Sequence, residues 1–229
     1  MNDVSCSPCA VRAVEMLMLE KFRTEPFHNF HLLYGNQIQH ALPGGTCSDK
    51  TLSFLDAAKK AGFEASLHSG FIGGREIHRL AKISIKGRCF FADVGNGWPS
   101  VQLYPADREI SYQCFGMSFR TEVSSSRVSV FHQKQGLESL QLEINLKSRP
   151  ESQINAEIKA RFNSGVVYPF SNSPRFSLVV GDQFLFLRGD RLEIYSDKKF
   201  EVIEELGECE IPNIISQHFG YKLPSLFRE

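Results

Sequence analysis

In the first quarter of the chain, apolar residues recur at helical spacing. Val11, Val14, Leu17 and Met18 fall on one face and predict a helix from about Ala10 to Phe22, which Pro26 ends. A second helix is expected just after Cys47. Ser48 and Asp49 suit its first turn, Leu52, Phe54, Leu55 and Ala58 form an apolar stripe, and Gly62 closes it. From Glu64 the pattern shortens to that of strands. Ile77–Ile85 and Arg88–Val94, joined by Lys86-Gly87, read as a hairpin with a two-residue turn. Val101–Tyr104, Gln113–Phe119 and Arg127–Gln133 are further strand segments. Phe176–Leu187 and Arg191–Tyr195, separated by Gly189-Asp190, read as another hairpin, with Phe184–Leu187 as its buried run. Ile211–Phe219 reads as a short helix closed by Gly220. Helices first, strands next and a mixed tail define an α+β chain.

Composition narrows the partners. The 229 residues carry 26 Lys+Arg and 26 Asp+Glu, so no net charge favours nucleic acid or an acidic membrane surface. No stretch approaches the roughly 18 apolar residues of a membrane span. The N-terminus lacks a basic region followed by an apolar one, so the cytoplasm is the expected location. The expected state of the six cysteines is therefore reduced.

One cysteine sits where chemistry favours it. Cys47 follows Pro43-Gly44-Gly45-Thr46 and opens a helix. The glycines let the backbone approach closely, and the helix N-terminus offers unsatisfied N–H groups and partial positive charge. Such a setting lowers a thiol pKa, and the same N–H groups suit an oxyanion. A packed small residue is the bland alternative. The hairpin register independently places Leu80 opposite Asp93 and His78 opposite Gly95. His78 and Asp93 are then diagonal neighbours on one face, within reach of each other. A carboxylate on one ring nitrogen sets the tautomer and frees the other nitrogen for proton transfer. A surface ion pair is the bland alternative here. Spacing alone does not join the cysteine to this pair.

These segments resemble the arylamine N-acetyltransferases. Members carry Arg-Gly-Gly-x-Cys at a helix start, a His opening a strand, and Asp-Val-Gly-Phe-Gly ending the next. This chain has Pro43-Gly44-Gly45-Thr46-Cys47, His78-Arg79-Leu80 and Asp93-Val94-Gly95-Asn96-Gly97, with the family's His-to-Asp spacing. Pro26-Phe27-His28-Asn29, Ser171–Phe176 and Phe219-Gly220-Tyr221-Lys222-Leu223 extend the resemblance along nearly the whole chain. It implies a helical bundle (1–62) with Cys47, a β-barrel (63–150) with His78 and Asp93, and a mixed α/β lid (151–229). Together these make one catalytic unit on a papain-like core. It also implies ping-pong acyl transfer through acyl-Cys47, with His78 as base and Asp93 orienting it. The expected donor is acetyl-CoA or another acyl thioester, CoA- or carrier-protein-borne. The acceptor is a small amine, and no resident cofactor or metal is expected. Phe27, Gly45, Thr46, Asn96 and Trp98 are placed at the substrate pocket.

Four departures surround the cysteine. Pro43 replaces the family's Arg and His28 its Glu, which removes both partners of an ion pair at once. Asn96 replaces an aromatic that shapes the acceptor pocket, and Trp98, the only Trp, is expected to refill part of the space. As a bland alternative, Asn96 is a turn residue between two glycines. The chain is also shorter than typical members, which trims the helices and the lid. A hydrolase or natural-product amide synthase with a carrier-bound acyl group is therefore an alternative, as is an inactive accessory homologue. Cys6-Ser7-Pro8-Cys9 lacks a second ligand pair, and Cys89 and Cys114 read as core residues. The histidines at 31, 40, 68, 132 and 218 form no ligand set.

Overall fold

The structure is a computed structural model and describes residues 7–34, 42–160, 168 and 170–223. Cys6 and His40 lie outside those residues. The first helix, α1 (Ser7–Thr24), buries Ala10, Val14, Met18 and Phe22, and Lys21 and Arg23 occupy its last turn, where the helix dipole favours cations. After Pro26 the chain makes a two-residue strand, β1 (Phe27–His28), and a short helix absent from the sequence reading, α2 (Phe30–Tyr34). Helix α3 (Cys47–Lys60) starts at the predicted residue. Its buried stripe is Cys47, Thr51, Phe54, Leu55 and Ala58, while Leu52, expected inside, is 37% exposed. Gly62, at φ +86°, ends it with Gly62 N–H on Lys59 O and Phe63 N–H on Ala58 O, the paired bonds of a Schellman cap.

Eight antiparallel strands follow: β2 (Glu64–Ile72), β3 (Arg75–Ile85), β4 (Arg88–Ala92), β5 (Tyr104–Pro105), β6 (Ser111–Cys114), β7 (Met117–Val123), β8 (Arg127–Lys134) and β9 (Leu137–Asn145). Their order is β5-β4-β3-β2-β9-β8-β7-β6. This sheet is curled and does not close, which corrects the expected barrel. Its edges are β5 and β6, and among the described residues they do not pair with each other. One edge is only two residues long and ends in Pro105, which has no N–H to donate. Bulges in β3, opposite Gly70/Ile72, and in β9, where Gln141 is the extra residue opposite Val130/Phe131, supply curvature.

The β3–β4 register matches the reading from sequence: Ala81 faces Ala92 and Ile85 faces Arg88 across Lys86-Gly87. Both turn residues have positive φ, 52° and 76°, as a two-residue hairpin requires. Three other expectations change. Val101–Tyr104 contributes strand only from Tyr104. Gln113–Phe119 is split by a Phe115-Gly116 turn with φ of 50° and 69°. Phe176–Leu187 is split at Gly181-Asp182.

Helix α4 (Glu151–Ala160), unforeseen from the pattern, buries only Ile154 and Ile158. The last sheet has the order β1-β10-β11-β12-β13, with β10 (Arg175–Val180), β11 (Gln183–Arg188), β12 (Arg191–Tyr195) and β13 (Phe200–Ile203). The predicted terminal helix is present as α5 (Ile211–Ile214) followed by a wider turn, Ile215–Phe219, capped by Gly220 in the left-handed region. The buried run Phe184–Leu187 is borne out. Helices α1 and α3 pack on the first sheet in one core, and β10–β12 with the terminal helix form a second. No helix among the described residues is long and apolar enough to cross a membrane.

Candidate active site

Cys47 is the first residue of α3 and is set by the loop before it. Gly45 N–H donates to Pro26 O (3.1 Å) and His28 N–H to Gly45 O (2.9 Å), which lays the loop along β1. Gly44 has φ +86°, and a Cβ there would stand 2.1 Å from Pro26 O. The Asp49 carboxylate accepts from Thr46 N–H (2.9 Å) and from Thr46 Oγ–H (2.8 Å), so the helix start is held from both sides.

His78, on β3, and Asp93, just past β4, meet as the hairpin register requires. Nε2 lies 2.6 Å from Oδ1, and the residues are 3% and 1% exposed. Gly95 brings this strand end against α3. A Cβ there would meet Cys47 O at 2.7 Å and Thr51 Oγ1 and Arg79 O at 2.8 Å. Thr51 Oγ–H donates to Arg79 O (2.9 Å) and ties α3 to β3 at the same point. The cysteine, histidine and aspartate therefore converge, although they come from a helix start, a strand and a strand end.

Electrostatics at this point act as one unit. Burial, the largest single influence, disfavours the Cys47 thiolate. The hydrogen bond and charge of His78, with help from Arg79, more than offset it and draw the thiol below its usual range. Burial likewise disfavours charge on His78. The charge and hydrogen bond of Asp93, followed by those of Cys47, overcome it and raise the imidazole to about 10. Such a site favours thiolate and imidazolium together.

Asn96 completes the aspartate's shell. Its Nδ2–H donates to Asp93 Oδ2 (2.9 Å), and its Oδ1 accepts from Trp98 N–H (3.2 Å) and Gln141 Nε2–H (3.0 Å). A cavity of about 380 Å³ opens over Cys47 and His78. Phe27, Asn96 and Trp98 line it. Gly45 is instead buried beside Phe27, and Thr46 borders a separate small cavity next to Cys47. Lys134, Arg175, Arg188 and Gln141 also line the main cavity and escaped the sequence reading. They lie on β8, β9, β10 and β11, and only the tertiary fold brings them together.

The departures from the family pattern have local outcomes. His28 is fully buried, stacks on Phe176 (6.0 Å, 17°) and is held neutral, its pKa lowered to about 3 chiefly by burial. A buried lysine does stand on α3, Lys50, whose Nζ donates to Lys21 O (3.3 Å) and to Glu25 O. Trp98 packs between Phe186 and His132, with ring centres 4.9 and 5.0 Å away. Cys9 is exposed, and Cys89 and Cys114 are half-buried rather than core.

The N-acetyltransferase family model matches residues 11–227, so the chain belongs to that family. Comparison with curated proteins gave no match. Among solved structures, the arylamine N-acetyltransferase of Nocardia farcinica superposes with a TM-score of 0.78 at 19% identity, covering 95% of this chain and 87% of that one. The M. smegmatis enzyme gives 0.76 at 18% identity, with 93% and 86% covered. The Mycobacterium marinum enzyme in complex with CoA gives 0.76 at 15%, with 92% and 86% covered. At these identities the likeness is one of fold: N-terminal helices, a curled sheet and a mixed C-terminal region.

Proposed function

We propose that the protein is an N-acyltransferase that works through an acyl-Cys47 intermediate. The observation that carries this reading is the buried His78–Asp93 pair beside a cysteine at a helix start, whose thiol His78 draws down. The Cys47 thiolate attacks the carbonyl carbon of an acyl thioester. The bond to the donor sulfur breaks, and the departing thiolate takes the proton held by His78. An amine then attacks the acyl-Cys47 carbonyl. His78 Nδ1 accepts the amine proton, the bond to Sγ breaks, and the thiolate–imidazolium pair is restored. Asp93 holds Nε2 throughout and so orients the ring. The first amides of α3 serve the oxyanion.

Residues 1–62, 63–150 and 151–229 act as one catalytic unit in this reading. CoA as the donor carrier is supported by the CoA complex of the M. marinum relative. The test is intact mass measurement after incubation with a panel of acyl-CoAs and acyl-carrier proteins. A single acyl adduct that disappears in Cys47→Ala is expected, and the donor that gives it settles CoA against carrier protein. Labelling that persists in Cys47→Ala, or no labelling by any thioester, sinks the mechanism. Amine-dependent discharge of the adduct, faster than discharge by water, separates transfer from hydrolysis.

A further inference from the structure

The cavity over Cys47 is asymmetric in charge. Lys134, Arg175 and Arg188 line it, and among the described residues no Asp or Glu does. Lys134 Nζ stands 3.7 Å from the Trp98 ring centre, and the Arg188 guanidinium 5.6 Å from it. Arg188 and Arg191 share one buried carboxylate, Glu193, which also accepts from Tyr195 OH. Among the described residues neither Lys134 nor Arg175 has an ion-pair partner. Burial, followed by the neighbouring Arg188, lowers the pKa of both, that of Lys134 to about 8. The charge of Glu193 offsets only part of this, and half-buried cations that outnumber the carboxylate beside them gain from an anion that enters the space between them.

We propose that this wall is an anion subsite that selects a small carboxylate-bearing substrate for acyl transfer at Cys47. The proposal rests on the acyltransferase reading and adds a substrate class to it. The wall shares one cavity of about 380 Å³ with the thiol, a size suited to a small molecule. The phosphates of a CoA donor lie at the far end of the pantetheine arm, away from the reacting sulfur, so the wall suits a shorter acid. The carboxylate rides either on the acceptor amine or on the acyl group. Trp98 supplies a flat apolar surface under Lys134, which fits an unsaturated body joined to an acid.

Trp98 is the only tryptophan, so its fluorescence reports on this wall without any turnover. Titration of the intact protein with 4-aminobenzoate and with the isosteric 4-aminobenzamide is expected to show the acid binding about tenfold or more tightly. Arg175→Gln and Lys134→Met are each expected to reduce that preference, so the result does not hang on one variant. Kinetics then locate the carboxylate. One arm compares the two acceptors. The other compares malonyl and propionyl thioesters on N-acetylcysteamine, a carrier without phosphates. Preference for the acid in either arm supports the subsite and names its source. Equal handling of acid and neutral analogue in binding and in both arms overturns it. So does an effect of the variants that appears only with CoA thioesters, which would assign the wall to the donor phosphates. Acid binding without any acylation of Cys47 would leave the subsite standing and remove the acyltransferase reading, so the two fail separately.

Discussion

The Asn96 side-chain amide donates to Asp93 Oδ2 at 2.9 Å, while His78 Nε2 occupies Oδ1 at 2.6 Å. Both carboxylate oxygens are therefore engaged in a buried site. Gln141 in turn fixes the Asn96 carbonyl, so the amide can present only its N–H₂ to the aspartate. Where the family's segment has an aromatic, this chain has a donor that holds the Asp93 carboxyl in place toward His78.

Asn96→Leu is thus expected to slow acylation of Cys47 about tenfold or more, because a hydrogen bond to a buried charge is worth ~1.5–3 kcal/mol. Single-turnover acylation with a thioester checks it, together with the pH profile of Cys47 alkylation. A role limited to pocket shape would change the acceptor KM and leave acylation untouched.

A second expectation concerns pH. With the thiol drawn down by His78, iodoacetamide should alkylate Cys47 rapidly below the ordinary thiol range. His78→Gln and Asp93→Asn should move the reactive limb upward. Stability carries the complementary sign. The folded protein raises His78 from 6.5 to about 10, so its imidazolium contributes in full below pH 6.5 and loses that contribution as pH rises through 10. The stability difference between wild type and His78→Gln, measured by urea unfolding, should shrink across that window. A constant difference would show that His78 is not held as the cation.

Gly95 is required for space, and Gly87 for backbone conformation. Gly95→Ala drives a methyl into Cys47 O, Arg79 O and Thr51 Oγ1 and is expected to cost ~1–3 kcal/mol with loss of Cys47 acylation. Gly87→Ala meets open space but keeps φ +76°, so it should cost ~1–2 kcal/mol and leave acylation unchanged. Thermal melts with mass labelling compare the two. Equal labelling in both variants would remove Gly95 from the geometry of the site.

The difference between these glycines also explains what the sequence made legible. Lys86-Gly87 is a local demand for left-handed backbone, and it sets a register that delivers His78 to Asp93. Helix α3 was legible for the same reason, since Asp49 and Gly62 mark its ends. Sheet closure was not, because it depends on how two distant edge strands approach each other. The donor role of Asn96 was also hidden: an amide between two glycines reads as a turn residue, and its bond to Asp93 requires Gln141 on another strand. The cationic wall is spread over β8, β10 and β11, and no spacing rule links those strands.

Lys50 carries the last expectation. Lysine is rarely buried without a partner, yet Lys50 is 1% exposed, three residues after Cys47, with Nζ 5.2 Å from the Phe22 ring centre. Two backbone carbonyls, Lys21 O and Glu25 O, accept its hydrogen bonds. Burial is the main influence on its pKa. The charge of Glu25 offsets part of this and that of Lys21 adds to it, which leaves the amine at about 7 against 10.5 when unfolded. Between those values the unfolded chain binds a proton that the folded chain does not, so stability rises with pH. Below pH 7 both states are charged, and the cost of a buried ammonium is fully present. Lys50→Met keeps the apolar stem and removes the titration. Relative to this variant, wild type should gain at least about 1.4 kcal/mol, the worth of one pKa unit, as pH rises from 7 to 10.5. Urea unfolding of both proteins across that range reads the difference directly. Parallel stability curves would mean that Lys50 stays charged in the fold, held by the two carbonyls and Glu25.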